Sequence, residues 1–200
     1  MIEVEKKFLL SDNQQTQLLH GAEFLFEKVI TDTYFDDDDY SLTKADLWLR
    51  QRNGSYELKA PLSSGQSSET NQYYEIDDEV EIATALALPS NGQLVTELAR
   101  RGIHGFVTCN TARSSYRKDG FTIDIDSATY NDSAFTYGLA EIELLVDNES
   151  QVGVAEQRIV EFAQTNNLDT HSTISGKIVA FLQQQNSDHY KALVEAKVVS

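Results

Sequence analysis

The chain opens on strict alternation. Across residues 2–8, Ile2, Val4, Lys6 and Phe8 share one face, and Glu3, Glu5 and Lys7 share the other. That is the period-2 signature of an extended strand. Ser11 supplies an N-cap for a short helix that Gly21 stops. Residues 24–35 are rich in β-branched and aromatic side chains and read as a strand, and residues 36–39 read as a solvated acidic turn. Residues 47–52 and 55–60 flank Asn53-Gly54, and residues 106–117 and 121–129 flank Asp119-Gly120. Both dipeptides favour the backbone of a tight hairpin. Residues 71–76 form a short strand, and residues 139–146 alternate again. Helices are read over 78–88 and 93–101, with Gly102 as a stop, and amphipathic helices over 153–166, 176–185 and 188–197. Residues 62–70, rich in Ser, Gly and Gln, form a surface loop and a candidate lid. About seven or eight strands, mostly joined as hairpins, with helices gathered at the end, predict an α+β fold on an antiparallel sheet.

The polar faces of these strands are almost purely ionic, and they recur. Glu3, Glu5 and Lys7 are followed by Arg50 and Arg52 in phase with Trp48, then Glu57 and Lys59. The second hairpin contributes Thr111, Arg113, Ser115 and Arg117, then Asp124 and Asp126, and the last strand Glu141 and Glu143. One such face is ordinarily a solvated surface. Agreement across five strands points to a shared surface. The helices need an apolar sheet face to pack on; if the sheet curls closed, the ionic face lines the interior. Charges there must be paired, hydrated or held by a ligand.

Composition and charge narrow the partners. The chain has 200 residues, 40% of them hydrophobic and 24% charged, which is globular composition, and it reads as a single domain over 1–200. Sixteen Lys and Arg face 32 Asp and Glu, a net charge of -16. This argues against nucleic acid and against an anionic membrane surface as partners. The single Cys109 excludes an internal disulfide and a cysteine-based zinc site. No apolar run reaches the roughly 20 residues of a membrane span. No signal peptide is read at Met1, so the expected location is cytoplasmic, and the expected state a monomer.

The spacing of the charges carries the chemistry. Glu-x-Glu on a strand sets two carboxylates on one face roughly 7 Å apart, and several such pairs suit a hard cation such as Mg²⁺ or Mn²⁺. Arg-x-Arg on a neighbouring strand presents planar forks for phosphate oxygens. Together they describe a metal-assisted phosphate site.

Glu3-Val4-Glu5-Lys6-Lys7 resembles the Glu-x-Glu-x-Lys signature of the CYTH group of triphosphate tunnel metalloenzymes. Trp48-Leu49-Arg50-Gln51-Arg52, Tyr56-Glu57-Leu58-Lys59, Tyr74-Glu75-Ile76, Thr111-Ala112-Arg113, Ile123-Asp124-Ile125-Asp126 and Ala140-Glu141-Ile142-Glu143 follow in order, with Lys177 in a late Ser-Gly-Lys-Ile segment. Within the group the chain is most similar to the animal-type thiamine triphosphatases, through stretches such as Asp32-Thr33-Tyr34-Phe35-Asp36 and Glu57-Leu58-Lys59-Ala60-Pro61. The resemblance implies a closed antiparallel tunnel of about eight strands, dependence on Mg²⁺, and hydrolysis of thiamine triphosphate to thiamine diphosphate and phosphate.

On that resemblance Lys7, Arg50, Arg52, Lys59, Arg113 and Lys177 are assigned to the triphosphate, with Arg52, Lys59 and Arg113, together with Glu5, placed at the chemistry. Glu3, Glu5, Asp124, Glu141 and Glu143 are assigned to the metal. Glu57, Glu75, Asp126 and Arg117 are further candidates, of which Glu57 and Asp126 are expected to pair with cations across strands. Trp48, on an otherwise ionic face, is assigned as a wall for the cationic thiazolium ring; the ordinary role of a lone Trp is core packing.

Other motifs are set aside. Ser175-Gly176-Lys177 lacks the earlier Gly of a phosphate-binding P-loop, since position 171 is His. His20, His104, His171 and His189 show no zinc spacing, and Cys109 reads as a small strand residue and not a nucleophile. A broader tri- or polyphosphatase or nucleoside triphosphatase, an adenylyl cyclase and a non-catalytic phosphate binder stay open as alternatives. The last fits least, since a binder needs cations but no carboxylate set.

Overall fold

The structure, a computed structural model, describes residues 1–62, 70–89 and 92–199. Eight strands run in chain order: β1 (Ile2–Phe8), β2 (Glu23–Asp36), β3 (Trp48–Arg52), β4 (Ser55–Pro61), β5 (Asn71–Ile76), β6 (His104–Lys118), β7 (Phe121–Tyr130) and β8 (Thr136–Val146). They close into an antiparallel barrel in the order β1-β5-β4-β3-β2-β6-β7-β8. Six helices surround it: α1 (Asp12–Leu19), α2 (Glu79–Ala85), α3 (Leu94–Arg100), α4 (Val152–Thr165), α5 (Lys177–Gln185) and α6 (Ser187–Glu195). Closure removes the free strand edges that an open sheet would expose. No helix among the described residues is long and apolar enough to cross a membrane.

Local chemistry sets the register. Arg52 pairs with Ser55 across Asn53 (φ 51°) and Gly54 (φ 91°), and Lys118 with Phe121 across Asp119 (φ 52°) and Gly120 (φ 85°). Two central residues at positive φ make the turn whose twist matches that of the flanking strands. At α1, Ser11 and Gln14 form a reciprocal capping box.

The outward faces of the strands supply most of the core. Ile2, Val4 and Phe8 of β1 and Ile142 of β8 pack under Ile159 and Phe162 of α4. Leu49 and Leu58, directly opposed across β3 and β4, pack with Ile82 of α2 and Leu98 of α3. Burial of each of these side chains is worth about 1.5–3 kcal/mol. The third cluster differs, because Val107 and Cys109 of β6 and Ala128 and Tyr130 of β7 share the strand face of Arg113 and Asp126. They pack with Trp48 and with Ile178, Leu182 and Leu193 of α5 and α6. One end of the barrel interior is therefore apolar and filled by the C-terminal helices, so the ionic lining occupies only part of the interior.

The acidic segment 36–39 departs from the expected solvated turn. Asp36 ends β2 and is buried, and its carboxylate accepts the N–H groups of Leu42 and Thr43 at 2.9 Å each and the Thr43 hydroxyl at 2.7 Å. The chain reversal that follows β2 leaves N–H groups without sheet partners, and a carboxylate in that position satisfies them. The expected loop and candidate lid over 62–70 falls, for residues 63–69, outside the described residues.

Candidate functional site

Barrel closure turns the ionic faces inwards around a cavity of about 310 Å³. β1 contributes Glu3, Glu5 and Lys7; β3 contributes Trp48, Arg50 and Arg52; β4 and β5 contribute Lys59 and Glu75. Arg113 enters from β6, Glu141 and Glu143 from β8, and Lys177 from the first turn of α5. Cross-strand register interleaves the signs: Lys7 stands opposite Glu141, Lys59 opposite Glu75, and Arg50 opposite Glu57. Like opposes like at Glu5 and Glu143, at Asp124 and Glu141, and at Lys28 and Arg113.

The remaining sequence candidates lie just outside the lining. Asp124 and Asp126 are buried on β7 beneath Arg113, which ion-pairs with both. Glu57 is turned to Arg50, whose Nε is 2.8 Å from its Oε2. Arg117 shares the face of Arg113, but its side chain stands in solvent and is not brought to the cavity. There it lies opposite Glu23 of β2 and Thr122 of β7, two residues from the end of the β6–β7 hairpin.

The cations are held in place by carboxylates. Arg113 makes a two-pronged contact with Asp126, Nε at 2.7 Å and Nη2 at 2.6 Å, and also reaches Glu141. Lys177 pairs with Asp126 and lies 3.1 Å from Glu141. Lys59 pairs with Glu3 and lies 3.5 Å from Glu75. Lys7 pairs with Glu5 and donates to Asn71 at 2.8 Å. Burial alone would lower the proton affinities of Lys59, Arg113 and Lys177, but the facing carboxylates outweigh it and hold all three above their ordinary ranges. All three are charged at any physiological pH.

The carboxylates split into two kinds. Burial would raise the Glu141 carboxyl, but Lys177, Arg113 and Lys7 hold it below the usual carboxylate range. Glu143 goes the other way: burial, with Glu3, Asp124 and Glu5 around it, pushes it up to about 9. Asp124 is raised by burial, against the pull of Arg113, and its Oδ1 is buried without a hydrogen-bond partner. Among the described residues no three His, Cys, Asp or Glu side chains converge closely enough to grip a metal ion as they stand; most of these carboxylates are turned towards cations. Yet an orphaned carboxylate oxygen beside a carboxyl that disfavours ionisation marks a surplus of negative charge. An all-oxygen set of this kind fits a hard divalent cation.

Sequence reasoning missed several lining groups. Asp32 of β2 is buried and grips Arg52 through two bonds, 2.7 Å to Nε and 2.8 Å to Nη2. Burial would raise its carboxyl, but Arg52 and Arg50 lower it below the ordinary value. Tyr34, Asn71 and Tyr73 also line the cavity, as do Gly176, Ile178 and Val179 at the start of α5. The alternation Ile30, Asp32, Tyr34 carried the signal for β2, but one carboxylate among uncharged neighbours does not read as an ionic face. Nothing in the local sequence of α5 announces that its first turn floors a barrel. Trp48 lines the cavity and also packs with Val107, Cys109 and Ile178. Cys109 is buried, and burial raises its thiol, so it is a poor nucleophile.

Comparison with known proteins agrees with this geometry. The CYTH domain family matches residues 1–176. A thiamine-triphosphatase of Homo sapiens is 27% identical over 212 residues, spanning 98% of this chain and 90% of that protein. A thiamine-triphosphatase of Macaca fascicularis is 28% identical over 210 residues, with the same coverage of 98% and 90%. A solved structure of a Pyrococcus horikoshii protein superposes with a TM-score of 0.60 at 21% identity, covering 92% of this chain and 99% of that one, a likeness of fold.

Proposed function

The chain belongs to the CYTH domain family, and on that premise we propose that it hydrolyses thiamine triphosphate to thiamine diphosphate and phosphate with the help of a divalent cation. The observation that carries this reading is the interleaved ionic lining of a cavity of about 310 Å³, with an aromatic wall of Trp48 and Tyr73. Six cations converge there from β1, β3, β4, β6 and α5, far more than a fold needs for stability.

In this reading Lys7, Arg50, Arg52, Lys59, Arg113 and Lys177 neutralise and orient the phosphate oxygens. Their carboxylate partners hold them in place before substrate arrives, so little reorganisation is needed as charge develops in the transition state. Arg52, fixed by Asp32, and Arg113, fixed by Asp126, present planar donors of defined orientation. Glu3, Glu5, Asp124 and Glu143 are the oxygen donors for Mg²⁺, with Mn²⁺ as a substitute. Glu141 is a fifth oxygen donor of this set and pairs with Arg113 and Lys177, as Glu3 pairs with Lys59, Glu5 with Lys7 and Asp124 with Arg113. Bound there, the cation would neutralise phosphate charge and acidify an attacking water. Trp48 faces the thiazolium end, where its ring can stack on a delocalised cation.

The test is phosphate release with Mg²⁺ from thiamine triphosphate, ATP and inorganic triphosphate, for the wild type and for Glu5→Gln and Arg52→Ala. The expected result is preference for thiamine triphosphate and a loss of about a hundred-fold or more in each variant. Near-full hydrolysis by both folded variants would sink the site assignment, and equal rates on the three substrates would sink the substrate.

A further inference from the structure

Asp46 follows the short 3₁₀ turn Thr43–Ala45 at φ 59° and ψ 27°. Asp tolerates this left-handed region better than most side chains. From there its half-buried carboxylate stands behind the cavity wall, and Oδ1 accepts two hydrogen bonds. One comes from the Trp48 indole N–H at 2.8 Å, the other from the Tyr73 hydroxyl at 2.9 Å. Both rings line the cavity, yet they stand on β3 and β5, which are separated by β4. A single carboxylate oxygen therefore ties two aromatic walls together across an intervening strand. Bonds to an ionised acceptor are the strong kind, and burial together with Asp46 holds the Tyr73 phenol well above its ordinary range, so it stays a donor. The Asp46-x-Trp48 spacing places acceptor and indole two residues apart, so the bond is local, whereas the Tyr73 bond joins residues 27 apart in the chain.

The geometry points to Asp46 as a positioning residue for substrate discrimination: it sets the planes of Trp48 and Tyr73 that meet the organic, cationic end of the triphosphate. This rests on the thiamine triphosphate reading above. Asp46 does not line the cavity, so it acts through the two rings. The carboxylates that pair with the six cations are other residues, Glu3, Glu5, Asp32, Glu57, Asp126 and Glu141, and the cation beside these rings, among the described residues, is Lys59, 6.0 Å from the Tyr73 ring centroid. The consequence is asymmetric: inorganic triphosphate, which has no organic end, is indifferent to Asp46.

Trp48 is the single tryptophan of the chain, so its fluorescence reports its own mobility without interference. The experiment measures kcat and KM on thiamine triphosphate and inorganic triphosphate, and acrylamide quenching of Trp48, for the full chain with Mg²⁺ as wild type, Asp46→Ala and Asp46→Asn. Asp46→Ala should lose about ten-fold in kcat/KM on thiamine triphosphate, mostly through KM, stay within about two-fold on inorganic triphosphate, and expose Trp48 to quencher. Asp46→Asn keeps an Oδ1 acceptor for both donors and should behave as wild type. Tyr73→Phe, which removes one of the two donors, keeps the proposal testable if Asp46→Ala does not fold; it should move quenching and preference in the same direction, less far. Equal losses on the two substrates, or Trp48 shielded as well in Asp46→Ala as in wild type, overturn the role of Asp46. So does an Asp46→Asn enzyme that loses the preference while Trp48 stays shielded, since that outcome makes the charge itself the attraction. A wild type without preference overturns the substrate reading instead, and the quenching comparison alone then decides whether Asp46 positions Trp48.

Discussion

Glu143 is the residue at which the charge pattern is most out of balance, and Glu143→Gln tests it with little change of shape. In the folded chain, burial and the neighbouring Glu3, Asp124 and Glu5 move its carboxyl from 4.5 to about 9. In the unfolded chain it titrates near 4.5. Between those limits the folded state holds a proton that the unfolded state has released, so stability falls as pH rises, by about 1.4 kcal/mol per pH unit. From about pH 5 to about pH 8 the accumulated loss is about 4 kcal/mol, an upper figure because small movements of the neighbouring carboxylates relieve part of it. The amide of the Glu143→Gln variant cannot ionise, so that protein escapes this loss. For a chain of this length about 1 kcal/mol corresponds to roughly 2–4 °C in Tm. The wild-type Tm should therefore fall by up to about 8–16 °C more than that of Glu143→Gln over this range. The assay is thermal unfolding by circular dichroism in buffer containing a chelator, repeated with Mg²⁺. At the alkaline end Mg²⁺ should raise the wild-type Tm more than the variant's, because an ionised Glu143 then has a partner. Parallel Tm curves for the two proteins without metal would refute the reasoning.

Arg113→Met strips Asp124, Asp126 and Glu141 of a shared cation; breaking a buried pair in this way costs about 3–5 kcal/mol, read from the denaturant midpoint, and hydrolysis should be lost with it. Asp32→Asn removes the two-pronged grip on Arg52, and kcat should fall by about ten-fold as the guanidinium loses its fixed orientation. His189 of α6 is fully buried, its Nε2 lies 2.7 Å from the Thr43 hydroxyl, and that hydroxyl donates to Asp36. Burial lowers its imidazole below 6.5, with Asp36 pulling the other way. The unfolded chain then takes up a proton more readily than the folded one below about pH 6.5, so His189 contributes a loss of stability on acidification. His189→Phe should show a shallower decline of Tm between about pH 6.5 and pH 5 than wild type, and an equal decline would exclude this residue as the cause.

Much of the site was legible because strand periodicity is a local property. Glu3-x-Glu5-x-Lys7, Arg50-x-Arg52 and Glu141-x-Glu143 declare one face each whatever the rest of the chain does. The two hairpins were legible for the same reason, since Asn53-Gly54 and Asp119-Gly120 dictate a turn through their own backbone preferences. Asp36 was misread as solvated because its partners, Leu42 and Thr43, belong to a reversal whose path no local pattern describes. Asp32, Tyr73 and Asp46 went unnoticed because each matters through a partner on another strand or turn.

By itself, then, the sequence determined which side chains share a face, where the chain turns, and that charge of both signs is concentrated on those faces. Their direction, inward around a cavity, was decided by closure of the barrel between β1 and β8, a contact between residues more than a hundred positions apart. Tertiary structure also decided that α5 and α6 fill one end of the interior, and that the surroundings of Asp124 and Glu143 disfavour ionisation while those of Glu141 favour it. The physical reason is the range of the forces: backbone preference and side-chain alternation act over a few residues, whereas burial and Coulomb interaction depend on which distant segments the fold brings together.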